Sequence, residues 1–119
     1  MNIENLKEEI KNFCEKRDWD QFHSIKDLAI GVVTEASELL EIFRFQSEKQ
    51  CEELVKSEKK KEVSDELADV LFFILRISQK YNIDLEKAFA EKMKKNAEKY
   101  PEDLAKGSNK KYNEFLEQT

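Results

Sequence analysis

Residues 66–75 read ELADVLFFIL, and this stretch decides the fold. Residues 70–75 are apolar at every position, which is typical of a helix that is covered on most of its sides. The stretch begins with Glu66 and Asp69, and their i, i+3 spacing places both carboxylates on one face of a helix. Both also fall within an apolar stripe, where a charge is costly unless something compensates it.

A second carboxylate pair, Glu35 and Glu38, has the same spacing and also lies among apolar residues of a helix. Successive long helices with a short connection tend to pack antiparallel, so we expect the two pairs to converge. Converging carboxylates repel one another, and a divalent cation would compensate them. Ligands that are all oxygen favour Mg²⁺ or Mn²⁺. The alternative is that these are ordinary solvated surface charges, since the chain has 26 Asp and Glu residues.

The composition predicts one all-α domain spanning residues 1–119. Charged and hydrophobic residues each make up 39% of the 119 residues, and there are only 2 Gly and 1 Pro, which favours helices packed on helices. The net charge of -5 argues against a protein that binds duplex nucleic acid through a basic face. No apolar run approaches the roughly 20 residues of a membrane span.

The absence of a secretory signal pattern and of metal-ligand spacing between Cys14 and Cys51 leads us to expect reduced thiols and a cytoplasmic protein.

Apolar periodicity predicts a four-helix-bundle-like arrangement. Ser24, Ser57 and Asp84 are candidate N-caps, and Asn82 is a candidate left-handed C-cap. The segment from about residue 102 onward is expected to be irregular. The predicted helices cover residues 3–15, 25–45, 57–81 and 85–99, with a short exposed helix within residues 46–61.

The acidic pairs suggest phosphate chemistry. Di-iron bundles use Glu-x-x-His pairs, which are absent here. Magnesium most often acts on phosphates, so the pattern predicts hydrolysis of a phosphate ester or anhydride. There is no P-loop, so charge neutralisation would fall to the cation and to Lys or Arg side chains.

Two further groups each allow two interpretations. Lys92, Lys95 and Asn96 share a helix face, with Lys110 and Lys111 following, and they form either a solvated lysine-rich surface or a phosphate clamp. The segment from Trp19 to His23 holds the only Trp and the only His. It is either an apolar plug between two helices or a platform on which a base stacks, with Phe45 as a second stacking partner.

Taken in order, these motifs resemble the MazG-like all-α nucleoside triphosphate pyrophosphohydrolases, and especially their dCTP pyrophosphatase branch. The resemblance covers residues 17–112. It rests on Trp19-Asp20-Gln21-Phe22-His23, Glu35-x-x-Glu38, Glu66-x-x-Asp69, Lys92-x-x-x-Asn96-x-x-x-Tyr100-Pro101 and Gly107-Ser108.

The resemblance implies a MazG-type bundle whose core is shared between the subunits of a homodimer or homotetramer. It implies Mg²⁺-dependent cleavage between the α- and β-phosphates of a (deoxy)nucleoside triphosphate, giving a monophosphate and pyrophosphate. The matching metal ligands are Glu35, Glu38, Glu66 and Asp69. Among these four similar groups, Glu38 is the first candidate to orient the attacking water. Glu35 is the second.

The resemblance also implies a set of substrate contacts. It places Trp19 and His23 around the nucleotide. Phe45 stands where close relatives carry Trp. The residues that contact phosphate or sugar are matched by Lys92, Asn96 and Tyr100. One of the tail lysines also matches, and Lys110 is taken as that residue.

The substrate alternatives within this fold are dUTP and phosphoribosyl-ATP. The alternative of another class is a non-catalytic helical interaction module.

Overall fold

The computed structural model describes residues 2–111 and 113–114. Within that part the chain is all-helical, which confirms the predicted fold class. A short 3₁₀ turn, Asp20–Phe22, separates the first two helices. In chain order the helices are α1 (Ile3–Lys16), α2 (Ile25–Phe43), α3 (Glu48–Leu54), α4 (Lys60–Lys80), α5 (Leu85–Lys99) and α6 (Glu102–Ala105).

Local capping determines where most helices begin. The Ser24 hydroxyl accepts from the backbone N–H of Asp27 at the start of α2, and the Asp84 carboxylate accepts from the N–H of Lys87 at the start of α5. Both caps satisfy helix N–H groups that have no intrahelical partner, and both confirm predictions. Asn82 has a φ of 53°, which confirms the predicted left-handed residue after α4.

Three predicted boundaries were wrong. Helix α2 ends at Phe43 rather than at residue 45, because Phe45 takes a left-handed φ of 64°. Ser57 does not cap α4, which begins at Lys60; its hydroxyl donates to the Leu54 carbonyl instead. Residues 102–105, predicted to be irregular, form the short helix α6.

The chain divides into two compact units, Met1–Ile83 and Asp84–Thr119. In the first unit α4 packs against both α1 and α2. Gly31 of α2 faces Phe73 of α4, while Glu35 and Glu38 farther along α2 face Glu66, which precedes Phe73. Residues later in α2 therefore face residues earlier in α4. The two helices run antiparallel, as predicted.

The fully buried apolar residues of the described chain are Cys14, Leu28 and Leu75, joined by the polar Arg76 and Ser78. Contrary to the prediction, helix α4 is not covered on most sides by the residues that the structure describes. Its residues Leu67, Leu71 and Ile74 are exposed along one face.

The second unit contains α5 and α6. Phe89 and Met93 of α5 are both exposed in this chain. Cys14 and Cys51 are both free thiols. No helix in the described part of the chain has the length and apolar content needed to cross a membrane.

Candidate active site

Three carboxylates converge between α2 and α4. Glu35 and Glu38 of α2 and Glu66 of α4 each offer an oxygen, and these oxygens all lie within 4.8 Å of one another. The i, i+3 spacing brings the α2 pair to one face, and the antiparallel packing brings Glu66 opposite. The convergence predicted from sequence is therefore present for these three residues.

The environment of the cluster disfavours negative charge. Burial, then hydrogen bonding with Glu38, then the neighbouring carboxylates raise the pKa of Glu35 to about 7. The same causes, led by burial, raise the pKa of Glu66. One oxygen of each residue, Oε2, is buried with no hydrogen-bond partner in the described structure. A buried acceptor without a partner is costly, so a cation or a donor beside these two oxygens would stabilise the site.

Three carboxylates near this cluster are paired with cations. Arg44 lies 3.4 Å from Glu41, Lys59 lies 3.6 Å from Glu62, and Lys61 pairs with Asp65. With Ile42, Glu38 and Glu66, these three acidic residues line a groove of about 380 Å³.

Within residues 2–111 and 113–114, by contrast, no ion pair involves Glu35, Glu38 or Glu66. The cluster therefore differs in its lack of a cation from Glu41, Glu62 and Asp65, which line the same groove.

Asp69, the fourth predicted ligand, lies outside the group of oxygens within 4.8 Å. It is nevertheless close enough for its charge to raise the pKa of both Glu35 and Glu66. The donor set contains oxygen alone, and two of its oxygens have no partner. Such a set fits a hard divalent cation, because Mg²⁺ and Mn²⁺ prefer carboxylate ligands.

Gly31 allows α2 and α4 to approach closely one helical turn from Glu35. A Cβ built on Gly31 would lie 2.5 Å from the Phe73 ring, closer than atoms can pack. Glycine at this position therefore lets the ring lie against the α2 backbone.

The segment before α2 forms an aromatic group with α1. The rings of Phe13 and Trp19 meet edge to face at 5.4 Å, and those of Trp19 and His23 lie 6.0 Å apart. Trp19 is 37% exposed, so it has both a packed edge and an accessible surface. Phe13 also borders an apolar cavity of about 290 Å³ between α1 and α4, lined by Leu6, Glu9, Ile10, Ala68, Leu71, Phe72 and Leu75.

Arg76 is the residue near this group that sequence reasoning missed. It is 1% exposed, and its Nε donates to Nδ1 of His23 at 3.0 Å. The signal was present in the sequence, since Arg76 directly follows the apolar run of residues 70–75. A charge in that position is the same feature that drew attention to Glu66 and Asp69.

Phe45 does not join the aromatic group. Its side chain is 89% exposed, and the Arg44 guanidinium lies over its ring at 4.6 Å. No ring contact joins Phe45 to Trp19 or His23 in the part of the chain that the structure describes.

The predicted phosphate-contacting residues all lie in the second unit. Lys92 and Asn96 are one turn apart on α5, and the Asn96 amide contacts the Met93 sulfur at 3.9 Å. Tyr100 follows the last residue of α5, and the backbone N–H of Lys110 donates to the Ser108 hydroxyl. That these residues bind the same nucleotide as the carboxylate cluster stays a prediction.

Comparisons with known proteins identify the family of the chain. The model of the MazG-like family matches residues 30–115. The chain is 31% identical to dCTP pyrophosphatase 1 of Homo sapiens and 30% identical to that of Rattus norvegicus, in each case over 95% of this chain and 67% of the relative. A crystal structure of a pyrophosphatase from Archaeoglobus fulgidus DSM 4304 superimposes with a TM-score of 0.77 at 36% identity, covering 82% of this chain and 91% of that one.

Proposed function

The chain belongs to the MazG-like family and is a nucleoside triphosphate pyrophosphohydrolase, and from that premise we propose that its substrate is dCTP or a closely similar nucleotide. The reaction is Mg²⁺-dependent hydrolysis between the α- and β-phosphates, which yields a nucleoside monophosphate and pyrophosphate. The relatives named dCTP pyrophosphatase 1 support the choice of base.

The observation that carries the proposal is the uncompensated carboxylate cluster. Glu35, Glu38 and Glu66 would hold the cation, with Asp69 completing the set, because two buried oxygens there have no partner. A bound divalent cation supplies charge neutralisation for phosphate oxygens and lowers the pKa of a bound water. Mn²⁺ has the same ligand preferences and is expected to substitute.

Glu38 is the carboxylate proposed to orient the attacking water. It is exposed, whereas Glu35 and Glu66 are half-buried, so a water can reach it from the groove. Glu35 lies within hydrogen-bonding reach of Glu38 and is the second candidate. A carboxylate in this position accepts a hydrogen bond from the water and holds it for in-line attack.

Seven side chains are proposed to contact the nucleotide. Trp19 and His23 are proposed to contact the base, supported by the partly exposed Trp19 ring. Phe45 is proposed to stack on a base, supported by its exposed ring. Lys92, Asn96, Tyr100 and Lys110 are proposed to contact the phosphates or the sugar.

We further propose that the active form is a homodimer or homotetramer. Ile30, Val33 and Leu40 form an exposed apolar stripe on α2, and Leu67, Leu71 and Ile74 form another on α4. Large exposed apolar surfaces of this kind mark interaction sites. A second copy of the chain would cover them and share its core with the first.

A substrate panel assayed with Mg²⁺ and with EDTA tests the proposal. The panel contains dCTP, dUTP, phosphoribosyl-ATP and the other common triphosphates, and pyrophosphate and orthophosphate are measured separately. We expect pyrophosphate to be released fastest from dCTP and only when Mg²⁺ is present.

Each other result would change the proposal. Faster release of pyrophosphate from dUTP or phosphoribosyl-ATP would replace dCTP as the proposed substrate and leave the fold and the reaction unchanged. Orthophosphate as the first product would contradict the position of cleavage. Turnover from no triphosphate would favour the non-catalytic interaction module.

A further inference from the structure

Arg76 is the most deeply buried charged side chain in the described residues, and it lies outside the carboxylate cluster. Its guanidinium reaches three partners. Nε donates to Nδ1 of His23 at 3.0 Å, one terminal nitrogen donates to the side chain of Gln79, and the other pairs with the Asp20 carboxylate. Two of these partners are 53 and 56 residues away in sequence, so Arg76 joins the 3₁₀ turn to α4.

The bond to His23 determines where the imidazole carries its proton. An arginine N–H can donate and cannot accept, so the ring nitrogen facing it must be unprotonated. A neutral histidine has its proton on the other nitrogen, which here is Nε2. No described residue bonds to Nε2, and the ring is only half-buried. His23 therefore presents a fixed donor at its free edge.

The charges around His23 keep the ring neutral. Burial lowers the pKa of His23, and the Arg76 and Lys80 cations of α4 lower it further, while Asp20 of the turn acts in the opposite direction. Lys80 also donates to the carbonyls of Asp20 and His23 and so holds the backbone of the turn. The imidazole thus has a defined tautomer, a neutral charge and a supported backbone.

We propose that Arg76 is a positioning residue that fixes His23 as a neutral imidazole protonated on Nε2, so that His23 donates a hydrogen bond to the base of the bound nucleotide. This inference rests on the proposed function, since it assumes that His23 contacts the base beside Trp19. It assigns a source of base selectivity. A fixed donor can pair with the N3 acceptor of cytosine and is mismatched against the N3–H of uracil or thymine.

The chain offers a direct spectroscopic test because His23 is its only histidine. In protein labelled with ¹⁵N-histidine, the imidazole signals belong to one residue. We expect the wild type to show Nε2 protonated and Nδ1 unprotonated near pH 7, with titration below the usual histidine range. In Arg76→Gln the two tautomers should mix and the pKa should rise.

Two further variants separate positioning from simple support of the turn. Arg76→Lys keeps a positive charge and loses the guanidinium geometry; it is also the variant to use if Arg76→Gln does not fold. Lys80→Gln is the matched control, since it removes the bonds to the turn backbone and leaves the Arg76–His23 bond in place. The control should keep the wild-type tautomer.

The kinetic test compares the KM values for dCTP and for dUTP in the wild type and in the Arg76 variants. Losing one oriented hydrogen bond should raise the KM for dCTP about fivefold in the Arg76 variants. Their kcat should stay within about twofold, because the carboxylates at the reacting phosphates are untouched. The KM for dUTP should change less, so that discrimination between the two bases falls.

The results distinguish failure of this inference from failure of the proposed function. A wild-type signal with Nδ1 protonated, or a KM for dCTP that is unchanged in a folded Arg76 variant, overturns the inference while pyrophosphate release continues. A wild-type protein that hydrolyses no triphosphate overturns the proposed function and the base contact together.

Discussion

Gly31 lies directly against the ring of Phe73, so closely that a Cβ at position 31 would come within 2.5 Å of it. This contact determines the separation of α2 and α4 one turn from Glu35. Gly31→Ala should destabilise the protein by up to about 2 kcal/mol, because overpacking costs ~1–3 kcal/mol and the gain in helix propensity offsets about 1 kcal/mol of it.

Urea unfolding would measure the change, and calorimetry would report Mg²⁺ affinity, which should weaken as Glu66 moves away from Glu35. The double variant Gly31→Ala with Phe73→Leu should recover part of both losses, since it removes the clashing ring atoms. If the losses caused by the two substitutions simply add in the double variant, the steric explanation is contradicted.

Glu35 and Glu41 lie on the same helix and provide a matched pair of substitutions. Glu35→Gln should abolish turnover and Mg²⁺-induced thermal stabilisation, because it removes a charged ligand. Without Mg²⁺ it should raise Tm, since it relieves repulsion within the cluster. Glu41→Gln removes a carboxylate already paired with Arg44, so activity and Mg²⁺ stabilisation should persist. Equal loss of activity in both variants would contradict the assigned ligand set.

The raised carboxyl pKa values predict how stability depends on pH without Mg²⁺. The folded pKa of Glu35 is about 7, above the ordinary value of 4.5, so the folded state holds its proton more tightly than the unfolded chain does. Its contribution to stability is complete below about pH 4.5 and is lost as the pH rises through about 7.

Addition of Mg²⁺ should change this dependence, because the cation competes with protons for the same oxygens. The increase in Tm caused by Mg²⁺ should therefore be larger at pH 8 than at pH 5.5. Scanning fluorimetry in EDTA and in Mg²⁺ buffers would measure both effects. A Mg²⁺ shift that is independent of pH would place the cation elsewhere.

Phe45 combines a left-handed φ of 64° with an 89% exposed ring. Phe45→Gly should leave Tm unchanged or slightly higher, because glycine adopts this φ without strain and little burial is lost. If the ring stacks on a base, the KM for the nucleotide should rise about tenfold. Tyr81→Ala, at an exposed aromatic residue outside the proposed nucleotide contacts, is the control and should leave KM near the wild-type value. A KM unaffected by Phe45→Gly would remove Phe45 from the nucleotide site.

Leu71 tests the proposed assembly. It is exposed on α4, and a lysine there would introduce a charge into an apolar interface. Leu71→Lys should shift the mass measured by light scattering towards the monomer, while Ser64→Lys, at an exposed polar position of the same helix, should not. A wild-type protein that is monomeric at micromolar concentration would contradict the shared core.

Much of the fold follows from local patterns. Apolar periodicity located the long helices, and Ser24, Asn82 and Asp84 were recognised because capping depends on neighbouring residues alone. The errors also have physical causes. The left-handed Phe45 and the single turn of α6 leave no periodic signal.

By itself, the sequence determined the helices and the two carboxylate pairs, because helical spacing places i and i+3 on one face. The cation partners of Glu41, Glu62 and Asp65 also follow from the sequence, since each lies only three or four residues away. Only the tertiary structure brought Glu66 within reach of Glu35 and Glu38, because that convergence depends on how α2 packs on α4. The bond between Arg76 and His23 has the same origin, since it spans 53 residues and exists only once α4 lies against the turn.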